Sequence, residues 1–374
     1  MARPLRVGVI GTGFGARVHL PLFQRHPGTT VVAVCSAHLS RARAVARRHG
    51  IPAAFDDYRR MLAECTPDLV SVCTPPDLHA PMVLDALRAG AHVLCEKPLA
   101  PSAALARTML RAAERSGRVH AVGHVRRFVP AHRAADRLLR RGAIGRVVCA
   151  TVSLCAWPRP SFPDSAWDWL ARRDRGGGVL GLYGTHCFDL LAWWLGEIEA
   201  VACHTATALP TRAHPGAARR LRVTSEDTAA CLLRFVEGPM AAVTLSVSTP
   251  QGAGSRIEIQ GTRGRLLIEG ADRLFLARGL GRTDLRPVAL PREDETIPAT
   301  PNELRPYTHL LRAFLAAIGG RPDPAPAYPT FRDGYRSVAA MDACRRSRAT
   351  GRWIPLRGAP RSERQGRFSR GANG

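Results

Sequence analysis

The sequence predicts two folded parts, an N-terminal α/β part on a parallel sheet and a C-terminal α+β part on an open, mostly antiparallel β-sheet. Three observations carry the prediction. A six-residue apolar run, Leu5 to Ile10, feeds directly into the glycine-rich turn Gly11-Thr12-Gly13-Phe14-Gly15-Ala16 and then into a helix-compatible segment. Apolar strands and amphipathic helices alternate from there to residue 122, the pattern of βαβ units that demands a parallel sheet. Beyond residue 146, strand-like runs separated by glycine turns replace that alternation, as in an antiparallel sheet with one free face. At 374 residues the chain exceeds the size at which one core stops growing. The parts read as 1–123 and 124–356, with a basic tail at 357–374 expected to be disordered.

The glycine turn fits G-x-G-x-x-G/A in the strand–turn–helix setting that gives the motif meaning. Gly11 permits the tight turn, Gly13 lets the backbone approach a pyrophosphate, and Ala16 allows close helix packing. The N–H groups around Thr12, Phe14 and Gly15 face the anion. A second strand, Thr30 to Cys35, follows at the distance expected of a Rossmann dinucleotide-binding domain. At its tip, where NAD-specific proteins carry a carboxylate for the ribose 2′-hydroxyl, stands Ser36. With no carboxylate to repel a 2′-phosphate, and with Arg41 close behind, NADP(H) is favoured and NAD(H) stays open.

Helical segments at 39–49 and 58–63, with strands near Ala53-Ala54 and at 69–74, continue the alternation. Thr74-Pro75-Pro76 ends the last of these sharply, because prolines lack the N–H a sheet needs, and stiffens a loop on the ligand side. His79 opens the next helix and reads equally as a surface residue at a helix start or as a cofactor contact. The strand after that helix ends in Cys95-Glu96-Lys97-Pro98, so Glu96 and Lys97 lie at a strand end, where ligands of open α/β sheets sit. Lys97 is the only lysine among the 54 Lys and Arg residues. An ammonium can shift its pKa and pass a proton where a guanidinium cannot, which singles out Lys97 for chemistry.

A helix at 102–116 and a strand at 119–122 complete the first part, and a helix at 131–141 leads into strand 146–154. The runs 200–207, 228–236, 240–248, 256–260 and 265–268 supply the second sheet, followed by helices at 305–318 and 331–348. Between strands lies a tryptophan-rich stretch. Trp193 and Trp194 on the helix Thr185 to Leu195 read as core, whereas Trp157, Trp167 and Trp169 in a proline-rich loop read as an aromatic platform for a sugar or another flat ligand. His186 begins that helix after Gly176-Gly177-Gly178, and Asp189 one turn on is placed to fix the imidazole tautomer.

The formal charge of +24 would suggest nucleic acid, but the arginines are dispersed along the chain and form no single stripe with interleaved aromatics. Asn occurs only at 302 and 373, so the charge reads as compositional bias and no nucleic-acid partner is expected. The ten cysteines include no Cys-x-x-Cys pair, and no zinc-ligand spacing occurs, so reduced thiols in a cytoplasmic protein without a metal are expected. No apolar span approaches the roughly 18 residues of a membrane helix.

These motifs together resemble the glucose-fructose oxidoreductase and inositol dehydrogenase family, Gfo/Idh/MocA. The likeness is carried by GTGFGA at 11–16, TPPDLH at 74–79, ALRAGAHVLCEKPLA at 86–100, GGGVLGLYGTHCFDL at 176–190, SEDTA at 225–229, IEIQGTRG at 257–264 and DGYRSVAAMDA at 333–343. The resemblance implies hydride transfer between a nicotinamide cofactor and a secondary alcohol or ketone of a sugar, cyclitol or similar small-molecule substrate. It implies Lys97 as proton donor or acceptor and His186 as catalytic or substrate-binding histidine, and it implies a homo-oligomer formed through the C-terminal sheet. Many members carry an Asp four residues before the histidine, and this chain has Leu182 there. Lys97 and His186 must then suffice, with Tyr183 as a third polar group. Otherwise the chain is a catalytically silent cofactor-binding regulator. Glycosidic cleavage with a retained cofactor is a further alternative that the resemblance leaves open.

Overall fold

Six parallel strands form the first sheet: β1 (Leu5–Ile10), β2 (Thr29–Cys35), β3 (Ala53–Phe55), β4 (Leu69–Val72), β5 (His92–Cys95) and β6 (His120–Val122). Their spatial order, β3-β2-β1-β4-β5-β6, is that of a doubly wound sheet, with the chain reversing direction of travel between β1 and β4. Helices α1 (Leu20–Arg25), α2 (Leu39–His49), α3 (Tyr58–Cys65), α4 (His79–Arg88) and α5 (Ala103–Ser116) connect them. The computed structural model describes residues 3–155, 167–214, 216, 219–249, 254–279, 284–290, 304–321 and 328–356. Trp157 and the tail at 357–374 lie outside these.

After α6 (Pro130–Arg140) the chain enters a nine-stranded sheet, interrupted by α7 (Thr185–Leu195). Its strands are β7 (Val147–Cys155), β8 (Ile198–Ala206), β11 (Thr228–Phe235), β12 (Met240–Ser246), β13 (Gly254–Gly261), β14 (Gly264–Glu269), β15 (Arg273–Arg278), β16 (Arg286–Pro287) and β17 (Ile354–Pro355). The order is β16-β15-β14-β13-β7-β12-β11-β8-β17, antiparallel except for the pair β7 and β12. A separate ribbon pairs β9 (Thr211–Ala213) with β10 (Arg220–Arg222). The alternation of β11 shows the sheet's two faces: Ala229, Cys231, Leu233 and Phe235 point into the core while Leu232 and Arg234 face out. Leu232, Val148 and Met240 leave apolar surface exposed on these strands.

The division at residue 123 does not follow the packing throughout. Helix α8 (Arg305–Ile318) places Leu310, Leu311 and Phe314 in the same core as Val7 and Val9 of β1 and Phe23 of α1. Helix α9 (Phe331–Thr350) packs on both α5 and β8, and Asp342 accepts from the backbone N–H of Ala103 at 2.6 Å. The late helices therefore clamp the two sheets together, burying apolar stripes that a lone sheet face would leave wet. All ten cysteines are free thiols, and Cys203, Cys231 and Cys344 gather between β8, β11 and α9 with their sulfurs within 4.8 Å of one another. No helix among the described residues is long and apolar enough to cross a membrane.

Candidate active site

The glycine turn sits where β1 and β4 diverge. Gly11 has φ +111°, and a Cβ there would lie 2.5 Å from the carbonyl oxygen of Cys73, so only glycine fits. A Cβ on Gly13 would meet nothing within 4 Å, which leaves its backbone open to a ligand. The close packing expected at Ala16 falls instead on Gly15, where a Cβ would crowd Cys73 and Val9 at 3.1–3.2 Å. Residues Gly15–His19 form a π-helical turn before α1, and Phe14 packs against Tyr307 at 5.4 Å between ring centres. Ser36 at the tip of β2 is hydrogen-bonded to the Thr12 hydroxyl at 3.0 Å, and Arg41 is exposed on α2. An open glycine cradle at the start of a helical turn, at the reversal point of the sheet, fits a dinucleotide.

His79 is fully buried, with its ring nitrogens 2.8 Å from the Thr74 carbonyl and 3.2 Å from that of Leu99. Burial lowers its pKa, so the ring is neutral and its one N–H donates to one of these two carbonyls, between the Thr74-Pro75-Pro76 loop and the segment after Lys97. Its burial sets aside the reading of a surface residue at a helix start.

Glu96 and Lys97 leave β5 in opposite roles. Glu96 turns inward: its Oε1 is 3.0 Å from His19 Nε2 and its Oε2 accepts from the Lys97 backbone N–H at 3.2 Å. His19 Nδ1 continues to Ser71 at 2.8 Å. Burial opposes charge on both partners, but Cys73 and Glu96 hold His19 above its ordinary range and His19 holds Glu96 below its own. Gly123 is required beside this pair, since a Cβ there would come within 2.7 Å of Glu96 Oε1.

The Lys97 ammonium reaches the other way and donates to the Leu182 carbonyl at 3.0 Å. Burial lowers its pKa to about 8; Glu96 opposes the shift and Arg126 adds to it. Leu182 lies in a second π-helical turn, Leu180–Gly184, which runs into α7. Such turns interrupt the regular helical ladder and are frequent at functional sites. One residue into α7, His186 is 7% exposed and its Nδ1 has no hydrogen-bond partner among the described residues. Burial, then Lys97, keeps its pKa well below the usual imidazole value, so the ring is neutral. His124 meets it edge-on at 5.5 Å. Tyr183 lies under the Arg126 guanidinium, 5.8 Å from the ring centre, and burial holds its hydroxyl protonated.

Asp189 makes no hydrogen bond to His186, contrary to expectation: both its oxygens accept from Arg127, which also binds Asp333 at 2.8 Å. This buried triad ties the loop after β6 to α7 and α9. Trp167 docks on the small ribbon, its indole N–H donating to the Arg222 carbonyl at 3.1 Å, and Trp169 opens the short turn Trp169–Ala171. The structure gives neither a contact with Lys97 or His186. A cavity lined by Arg127, Asp189, Trp193 and Arg336 includes neither Lys97 nor His186.

Residues 5–124 match the family described as "Oxidoreductase family, NAD-binding Rossmann fold", and residues 132–267 match the GFO/IDH/MocA C-terminal domain. The chain belongs to this family. It is an NAD-dependent oxidoreductase. An uncharacterized oxidoreductase of Synechocystis is 30% identical over 94% of this chain and 96% of its own length. The 1,5-anhydro-D-fructose reductase of Ensifer adhaerens is 31% identical, covering 92% and 97%. Among solved structures, a levoglucosan dehydrogenase in complex with NADH and L-sorbose superposes with a TM-score of 0.83 at 26% identity, over 96% of this chain and all of the other. Sequence reasoning within the family pattern missed Arg126, Arg127, His124 and His19. Only the doubled arginine at 126–127 offered a signal, and it was hidden among 53 arginines, the 54 basic residues less Lys97.

Proposed function

We propose that this oxidoreductase moves a hydride between bound nicotinamide and a secondary alcohol or ketone of a sugar or cyclitol, with Lys97 as the proton donor and acceptor. One observation carries the proposal: the only lysine of the chain stands at the ligand end of β5, its ammonium held 3.0 Å from the Leu182 carbonyl with a pKa lowered to about 8. A group so poised exchanges protons readily near neutrality. Nicotinamide, when bound, supplies the hydride chemistry. The protein's part is binding and the proton. Lys97 hydrogen-bonds the substrate oxygen and takes its proton as the alcohol is oxidised, or returns it as the ketone is reduced. His186, neutral and with an unpartnered nitrogen, orients the substrate by a hydrogen bond and leaves the proton to Lys97. Leu182 contributes its carbonyl, which fixes the ammonium without neutralising it, and Tyr183 is the third polar group.

Gly11, Thr12, Gly13, Phe14, Gly15 and Ala16 would hold the pyrophosphate, and Thr74, Pro75 and Pro76 would wall the adjacent loop. Ser36 and Arg41 favour NADP(H) over NAD(H), since no carboxylate stands at residue 36. The exposed apolar residues Val148, Leu232 and Met240 support a homo-oligomer through the open sheet face. The test is reduced-nicotinamide absorbance with a panel of pyranoses, polyols and their ketones. Dinucleotide binding without turnover of any of them would reject hydride transfer and leave a silent binder.

A further inference from the structure

We infer that the substrate of this site bears a carboxylate beside its reacting carbinol, and that Arg126 is the residue that receives it. The inference rests on the hydride-transfer proposal and specifies its substrate class. Arg126 sits in the short turn Val125–Phe128 directly after β6, and its carbonyl is fixed by the Val129 N–H at 3.2 Å and by His132 Nδ1 at 2.8 Å. Its guanidinium lies over the Tyr183 ring and makes no hydrogen bond or ion pair among the described residues. Arg127, its neighbour, is consumed by Asp189 and Asp333. Tyr183 directly follows Leu182, whose carbonyl holds the Lys97 ammonium at 3.0 Å, so a guanidinium over the Tyr183 ring stands beside the reacting site.

The charge balance of that site is one-sided. Glu96 is the carboxylate that acts on Lys97, and its oxygens already serve His19 and the Lys97 backbone. Asp189 and Asp333 are tied to Arg127, Asp77 to Arg175, and Glu226 to Arg345. Residue 182, whose carbonyl holds the ammonium, is a leucine. The groups that perturb His186 are cations or other imidazoles. Two cations thus stand at the site, and among the described residues no carboxylate pairs with the side chain of either. A neutral sugar would leave that repulsion standing, whereas a carboxylate relieves it and matches the planar guanidinium fork in two hydrogen bonds. An anion so bound also stabilises the Lys97 ammonium, so the proton on Lys97 is held more firmly in the complex than in the free enzyme.

The experiment compares an aldopyranose, its uronic acid and its phosphate ester as substrates for the wild type, Arg126→Leu and Arg126→Lys, with dinucleotide saturating. The wild type is expected to show a kcat/KM for the uronic acid roughly 10- to 100-fold above that for the neutral parent, the span of a charged hydrogen-bonded contact. That ratio should fall to near one in Arg126→Leu, chiefly through KM, and be partly kept in Arg126→Lys. The pH limb of kcat should also lie above that of kcat/KM for the uronic acid and not for the neutral parent. A ratio near one in the wild type, or a ratio unchanged in Arg126→Leu, overturns the inference, and so does a preference for the phosphate ester with the uronic acid no better than the parent. Calorimetry of the uronic acid on dinucleotide-loaded protein separates the two proposals. Binding lost in Arg126→Leu without turnover in any protein would retain the carboxylate site and dismiss hydride transfer; no binding to the wild type would overturn the carboxylate site itself. If Arg126→Leu fails to fold, Arg126→Lys carries the same comparison.

Discussion

Replacing Lys97 by arginine keeps a positive charge at the end of β5 and removes the ability to give it up. With a pKa of about 8, roughly one Lys97 in ten is a free amine at pH 7, while a guanidinium of pKa above about 12 leaves fewer than one in 10⁵ deprotonated. The available base thus falls by about four orders of magnitude, and general acid–base help is worth about 10²- to 10⁴-fold, so the oxidation rate should drop by that latter factor. Geometry adds to the loss. The Leu182 carbonyl accepts one N–H from the ammonium, and a guanidinium would bring further N–H groups that this single contact does not serve. The assay is turnover across pH with dinucleotide binding measured on the same preparation. In the wild type, alcohol oxidation needs the free amine and should rise through about pH 8, while ketone reduction needs the ammonium and should decline through the same range. In Lys97→Arg both limbs should vanish while the dinucleotide still binds. Turnover within a few-fold of wild type, or an unchanged limb near pH 8, would refute Lys97 as the proton carrier.

Leu182→Asp places a carboxylate on the residue whose carbonyl holds Lys97; it should raise the Lys97 pKa and shift the pH limb upward, and a limb that stays in place would deny the two residues electrostatic contact. The same substitution separates an active from a silenced site, because turnover appearing only in the variant would mean the natural protein is not a dehydrogenase. Ser36→Asp should break the hydrogen bond to Thr12 and invert the order of NADP(H) and NAD(H) affinities by introducing a charge where the 2′-phosphate would lie; equal affinities in the wild type would remove Ser36 from the explanation. Arg127→Met leaves Asp189 and Asp333 buried without their cation and should cost about 3–5 kcal/mol in urea unfolding. Burial alone would raise Asp333, but Arg127 holds it well below the usual carboxylate range, so its stabilisation is present above about pH 4 and is lost only as pH falls further. Without Arg127 burial prevails, the carboxyl protonates more readily in the folded state, and the deficit of the variant should shrink on acidification. An equal deficit at about pH 5 and pH 8 would contradict this.

Elements with a strong period were legible from sequence to the residue: α2, α7 and α8 fall where periodicity and their flanking residues place them. The strands β15, β16 and β17 and the ribbon of β9 and β10 were not, because short runs such as Arg286–Pro287 carry no periodic signal and exist only through their partners. Both π-helical turns escaped for a related reason, since one extra residue in a turn changes hydrogen bonding without changing residue type. Lys97 and His186 stood out in the sequence because composition and motif converge on them. Asp189 misled because its helical spacing from His186 is real, yet a buried guanidinium more than 60 residues away in sequence outcompetes a neutral imidazole for its oxygens. The burial of His79 between carbonyls of two other segments was equally hidden, since a helix start reads as surface.

A chain with one lysine has two sites for an amine-directed reagent, its α-amino group and Lys97. Burial makes the second of these a free base at lower pH than an ordinary surface lysine, so a small acylating or reductively alkylating label would find it by reactivity as well as by elimination. Whole-protein mass then becomes a meter of access to the end of β5, with one added label per molecule beyond the terminus. Ligands could be ranked by how well they shield that single position, before any of them is known to react.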